Sequence, residues 1–139
     1  MKKTFFILIM PAALWTQACG DLEEKNSEPD KVPADVQAIF TTYCAKSGCH
    51  AGTSPQQGMN LSEEVAYQNI VNVSSMESPS LKRANPGNAN NSYLIHKIEG
   101  TQSVGNRMPL DQQGPDGGYL SSAQINAIRS WIDNGAQPR

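Results

Sequence analysis

The sequence predicts an all-α fold, and three observations support that class. Apolar residues recur at spacings of three and four in several segments, which is the pattern of an amphipathic helix. No segment shows the sustained alternation of apolar and polar side chains that is typical of a strand. Glycine and proline are concentrated between the helical segments, where the chain has to turn. A length of 139 residues fits one small domain.

The first and last predicted helices have the clearest patterns. Apolar residues at i, i+3, i+4 and i+7 form one face of the first helix, which leads directly into Cys44. These residues are Val36, Ile39, Phe40 and Tyr43. The last helix begins at Ser121, with Gln124 three places later as in a capping box. Gly135 is suited to its C-terminal cap. Its apolar face consists of Ile125, Ile128, Trp131 and Ile132.

Two shorter helices are predicted between these. One begins at Ser62, a candidate N-cap followed by two acidic residues, and runs to about Val71. The other covers residues 92–98, in which the apolar positions are Leu94, Ile95 and Ile98. After it, residues 100–118 contain five glycines and two prolines. A loop of that length in a compact domain is usually functional or disordered, so we expect it to contribute to function.

The N-terminal segment is similar to an export signal. Two lysines precede an apolar run at 5–14, which is shorter than the roughly 20 residues that span a bilayer. We expect cleavage between Ala18 and Cys19, which makes 1–18 a signal peptide. The stretch also resembles a bacterial lipoprotein signal, which implies a lipid anchor at Cys19. A plain secreted protein is the alternative.

The remainder divides into a tether and a folded body. Residues 19–32 are acidic, polar and free of aromatic side chains, so we predict a flexible tether. Residues 33–139 then form one domain, in the periplasm or at the outer surface. The whole sequence has 11 basic and 13 acidic residues and no basic stripe, which gives no sign of a nucleic-acid partner.

Residues 44–50, CAKSGCH, contain the clearest chemical motif. C-x-x-C-H is the attachment signal for c-type haem, but here four residues separate Cys44 from Cys49. Residues five apart in a helix differ by about 140°, so both thiols face one porphyrin only if part of the chain loops out. Gly48 can form such a loop, because glycine adopts backbone conformations that other residues avoid. His50 would supply the proximal nitrogen to the iron.

A sixth iron ligand is predicted in the glycine-rich loop, at Met108. Pro109 follows it and stiffens the chain where a thioether has to be aimed. A His/Met ligand pair raises the haem potential and leaves no open coordination position. Met59, Met76 and His96 are alternative sixth ligands.

In their order along the chain, these segments resemble a small class I cytochrome c domain of bacterial surface and periplasmic proteins. The matching segments are the aromatic helix running into Cys44…Cys49-His50, then NPGNANNSYL (85–94), RMP (107–109) and WIDNGA (131–136). The resemblance implies helices packed around one covalently bound haem, with long irregular loops. It also implies that Cys44 and Cys49 attach haem c and that His50 and Met108 are its axial ligands.

The function implied by the resemblance is electron transfer. A monohaem cytochrome c carries single electrons between redox partner proteins, is not an enzyme and binds no small-molecule substrate. Two alternatives remain open from the residues. A haem with an open sixth site would make the protein a sensor or a peroxidase-like enzyme. A haem-free lipoprotein module that binds a partner would have Cys44 and Cys49 as a disulfide, since the compartment is oxidising.

Overall fold

The structure is a computed structural model that describes residues 29–110 and 117–139. The predicted signal peptide, the anchor at Cys19 and most of the tether lie outside the described residues. Four α-helices occur in the described ranges: α1 (Ala34–Tyr43), α2 (Ala66–Ile70), α3 (Tyr93–Glu99) and α4 (Ser122–Asp133). Short 3₁₀ helices at Gln56–Gly58 and Ala89–Asn91 and four isolated β-bridges complete the regular structure there, and no strand is formed. This part of the chain is therefore helical, as the all-α prediction requires.

Helices α1 and α4 agree with their predictions. α1 ends at Tyr43, directly before Cys44. At the start of α4, the backbone N–H of Gln124 donates to Ser121 Oγ at 3.3 Å, and the Ser121 N–H donates to the Gln124 side chain at 2.9 Å. This reciprocal pair is the predicted capping box. Gly135 follows the helix with φ +91°, the left-handed conformation that favours glycine at this position.

The predicted start of α2 is wrong, whereas α3 lies within one residue of its prediction. α2 begins at Ala66 rather than at Ser62, and Val65 before it has a non-helical φ of −131°. The Ser62 N–H donates to the side chain of Asn60 at 2.9 Å, which holds the serine in a turn. α3 ends at Glu99 and is capped by Gly100, where φ is +81°.

The hydrophobic core forms where α4 packs against α1 and α3. Its largest fully buried side chains come from all four helices and the connecting segments; they include Phe40, Leu61, Ile70, Ile95, Ile98, Ile128 and Ile132. Trp131 is also buried, and its indole N–H donates to the Gln137 carbonyl at 2.9 Å. One side of α3 and the C-terminal end of α1 are not covered by the core and line a cavity. None of the helices in the described ranges is long and apolar enough to span a membrane.

Candidate cofactor site

A cavity of about 420 Å³ lies beside α3, and all four predicted site residues line it. Cys44, Cys49 and His50 approach it from the end of α1, and Met108 approaches from the glycine-rich loop. The volume falls within the roughly 300–1,000 Å³ that is usual for small-molecule and cofactor sites. The fold thus brings together two segments that are far apart in the sequence.

The CAKSGCH segment forms a closed loop on the end of α1. The N–H groups of Cys44 and Ala45 both donate to the Phe40 carbonyl, at 2.8 and 2.7 Å, and so end the helix. The His50 N–H donates back to the Cys44 carbonyl at 3.2 Å. Gly48, at the tip, has φ +79°. The extra residues therefore loop out, as the four-residue gap requires, and both cysteines still face the cavity.

Cys44 and Cys49 are free, half-buried thiols. Burial raises the pKa of the Cys44 thiol to about 12; the nearby Cys49 thiol adds to the increase and Lys46 opposes it. Cys44 is therefore a neutral thiol at neutral pH. The thiolate is the form that attacks disulfides and binds metal ions, so this environment disfavours both of those roles.

His50 is buried, and its hydrogen bonding prepares it for a ligand role. Its Nδ1 lies 3.2 Å from the carbonyl oxygen of Met59. Because a carbonyl can only accept, this bond places the proton on Nδ1 and leaves the Nε2 lone pair available. Burial lowers the pKa of the imidazole below its ordinary value of 6.5, which the hydrogen bond to Met59 partly opposes. The neutral ring is the form that binds metals.

Met108 is half-buried, and its backbone N–H donates to the Lys97 carbonyl of α3 at 2.8 Å. Two of the alternative sixth ligands, Met59 and Met76, line the same cavity, although the Met76 residue is 63% exposed. His96 does not line it, and its Nδ1 lies 3.0 Å from the Thr101 hydroxyl instead. The structure therefore separates His96 from the other candidates.

Two basic residues on the cavity wall were not predicted as site residues. Arg83 is 8% exposed and donates to the carbonyls of Gln57 and Asn69, both at 2.7 Å. Burial lowers the pKa of its guanidinium. Lys97 is equally buried and forms an ion pair with Glu77 at 2.7 Å. Nothing in the sequence distinguishes these residues from surface charges, because their partners lie in other segments.

The residues present fit a haem. The wall presents mostly apolar surface, a neutral imidazole has one free nitrogen, and a thioether and two thiols complete the set. Across residues 29–110 and 117–139, no three His, Cys, Asp or Glu side chains come together as a group that could hold a metal ion. Comparison with protein-family models, with curated proteins and with solved structures finds no match to this chain. Function is therefore inferred from the cavity and its residues.

Proposed function

We propose that the protein is an exported c-type cytochrome with a class I cytochrome c fold, which carries single electrons between redox partner proteins. The observation that supports this most directly is that Cys44, Cys49, His50 and Met108 line one cavity. Cysteine is the residue type that attaches c-type haem, and histidine and methionine are the axial ligands of cytochromes c. The N-terminal segment supports export, with an anchor at Cys19 and residues 19–32 as the tether.

Each residue of the site has a distinct role in this proposal. Cys44 and Cys49 hold the haem covalently, and His50 binds the iron through Nε2 while Met59 fixes the orientation of the ring. Met108 would supply the second protein ligand to the iron. When bound, the haem supplies an iron that cycles between the ferrous and ferric states.

The rest of the wall excludes water and balances charge. Tyr43, Leu61, Leu94 and Ile98 supply apolar surface, which favours a higher potential because a buried site disfavours the extra positive charge of ferric iron. Arg83 has five N–H donors, and two of them bind the backbone carbonyls of Asn69 and Gln57. The remaining donors suit the carboxylates of a haem.

The test is an absorption spectrum of the protein after export in a host with c-type maturation machinery, before and after acid–acetone extraction. We expect the colour and the reduced c-type bands to stay with the protein. The position of the bands in a pyridine haemochrome then reports whether one thioether or two have formed.

The matched control is the double variant Cys44→Ser/Cys49→Ser. It retains His50 and Met108 and can still bind haem, but it has neither thiol to attach it. Any haem that it binds is therefore lost on extraction. A colourless native protein would overturn the proposal and leave the haem-free module, and haem that is extracted from the native protein would overturn covalent attachment. Carbon monoxide binding to the native reduced protein would favour an open-site sensor or peroxidase-like protein.

A further inference from the structure

Residues 104–108, the Met108 segment, are tied to α3 by three hydrogen bonds. The hydroxyl of Tyr93 donates to the Val104 carbonyl at 2.7 Å. Arg107 Nε donates to the Ile98 carbonyl at 3.1 Å. The Met108 N–H donates to the Lys97 carbonyl at 2.8 Å. All three partners belong to α3, so this helix holds the segment in position.

A buried ion pair lies directly beneath the same segment. Lys97 Nζ is 2.7 Å from Glu77 Oε2, and the two side chains are 10% and 19% exposed. The ammonium also lies 5.8 Å from the centre of the Tyr93 ring, within the range of a cation–π contact. A Cβ built on Gly105 would lie 2.6 Å from Glu77 and 2.8 Å from Lys97. The backbone at Gly105 therefore rests on the ion pair.

Two further contacts of the segment are the bond from Gln102 Nε2 to the Gly105 carbonyl at 3.4 Å and the Arg107 guanidinium, which lies 4.0 Å from the centre of the Tyr119 ring. Positions 103–106 are exposed, so their side chains contribute little burial that could fix the backbone. The three hydrogen bonds from α3 and the ion pair under Gly105 are the contacts that join the segment to the cavity wall. Both ends of the ion pair also line the cavity, beside Met108.

We propose that Tyr93, Lys97 and Glu77 are positioning residues that hold the Met108 thioether against the cavity. This inference rests on the proposed function, since it assigns how the sixth ligand is aimed. Tyr93 fixes the start of the segment through Val104. Lys97 fixes its end through the backbone and its middle through the ion pair under Gly105.

The test compares two variants with two matched controls. Tyr93→Phe removes one hydroxyl and keeps the ring, and its control is Tyr67→Phe, at a tyrosine that does not line the cavity. Lys97→Gln removes the ammonium and keeps the backbone carbonyl. Its control is Lys31→Gln, which removes the pair with the exposed Glu64.

The first measurement is hydrogen exchange of the Met108 amide, whose N–H donates to the Lys97 carbonyl, and it does not depend on a bound cofactor. We expect exchange about tenfold faster in Tyr93→Phe and Lys97→Gln, equivalent to about 1.4 kcal/mol of lost protection. The controls should exchange like the native protein. Unchanged exchange in both variants would overturn the inference.

The second measurement is spectroscopic and concerns the ligand itself. The oxidised variants should lose intensity in the weak far-red band of methionine ligation, and the reduced variants should bind carbon monoxide more tightly. A haem-containing protein in which neither property changes overturns the positioning role and leaves the proposed function intact. A protein without haem overturns the proposed function, and the exchange rates then decide alone whether α3 holds the segment.

Discussion

At the scale of single residues, His50 is bound through one of its two nitrogens. The Met59 carbonyl accepts from Nδ1–H and so fixes the tautomer. Nε2 is therefore the nitrogen with a lone pair for a metal ion. Cys44 is similarly held in its neutral form by burial. Both groups are therefore neutral near pH 7.

Met108→Ala should lower the midpoint potential and open a site for carbon monoxide. A thioether stabilises ferrous iron, and alanine provides no ligand in its place. Redox titration and a carbon monoxide difference spectrum measure the two effects. Met76→Ala is the matched control, because it removes an exposed thioether from the same cavity. A normal potential in Met108→Ala together with a changed one in Met76→Ala would reassign the sixth ligand to Met76.

Arg83→Gln should lower the midpoint potential by some tens of millivolts. A buried positive charge at the cavity wall disfavours ferric iron more than ferrous iron, so its removal stabilises the oxidised state. Redox titration measures the shift. Arg129→Gln is the control, since Arg129 pairs with Glu99 and does not line the cavity. Equal potentials for the Arg83 variant and the native protein would contradict the expected charge effect.

The cysteines and His50 could be found from the sequence because they are adjacent along the chain. Met108 was predicted from its position before Pro109 in the glycine-rich loop and from the order of segments in a resembling family. Arg83 and Lys97 could not be found, since a basic residue is usually at the surface and their partners come from elsewhere in the fold. Arg83 is buried because the carbonyls of Gln57 and Asn69 meet around it.

At the scale of elements, some helices can be predicted from residues within the helix itself, whereas others depend on the surrounding structure. α4 was predictable because its cap and apolar face lie within the helix itself. The start of α2 was not, because Val65 has a non-helical φ of −131° and the helix begins only at Ala66. Ser62 lies instead in a turn, in which its N–H donates to the Asn60 side chain and its carbonyl accepts from the Val65 and Ala66 N–H groups.

Ser121→Ala should lower the free energy of unfolding by about 1 kcal/mol, because it removes the side-chain acceptor of the capping box. Ser122→Ala, one residue later at an exposed position, is the control and should have little effect. Urea denaturation followed by circular dichroism measures both. Equal stabilities for the two variants would show that the box contributes nothing to α4.

Gly105→Ala should destabilise the protein more than Gly87→Ala. The two glycines have φ of +70° and +79°, so both substitutions strain the backbone. A Cβ at Gly87 meets nothing within 4 Å, whereas one at Gly105 displaces Glu77 and Lys97. The difference in unfolding free energy between the variants isolates the contact with the ion pair. A difference near zero would mean that the pair moves aside freely.

At the scale of the whole molecule, the core depends on helices from opposite ends of the described chain. Ile132→Ala should cost about 2–5 kcal/mol of stability, because Ile132 is fully buried where α4 meets the core. Ile125→Ala, at a half-buried position of the same helix, should cost less. Chemical denaturation compares them, and similar costs would place the centre of the core elsewhere.

The meeting of α1 with α4 also sets an order of events for a chain that is synthesised from its N-terminus. Val36 and Phe40 emerge long before the helix that covers them, and contacts between such distant segments form slowly. During that interval the CAKSGCH loop, which continues α1, is not yet enclosed. Both thiols stay accessible at this stage, because α3 and Met108, which line the cavity with them, also lie later in the chain.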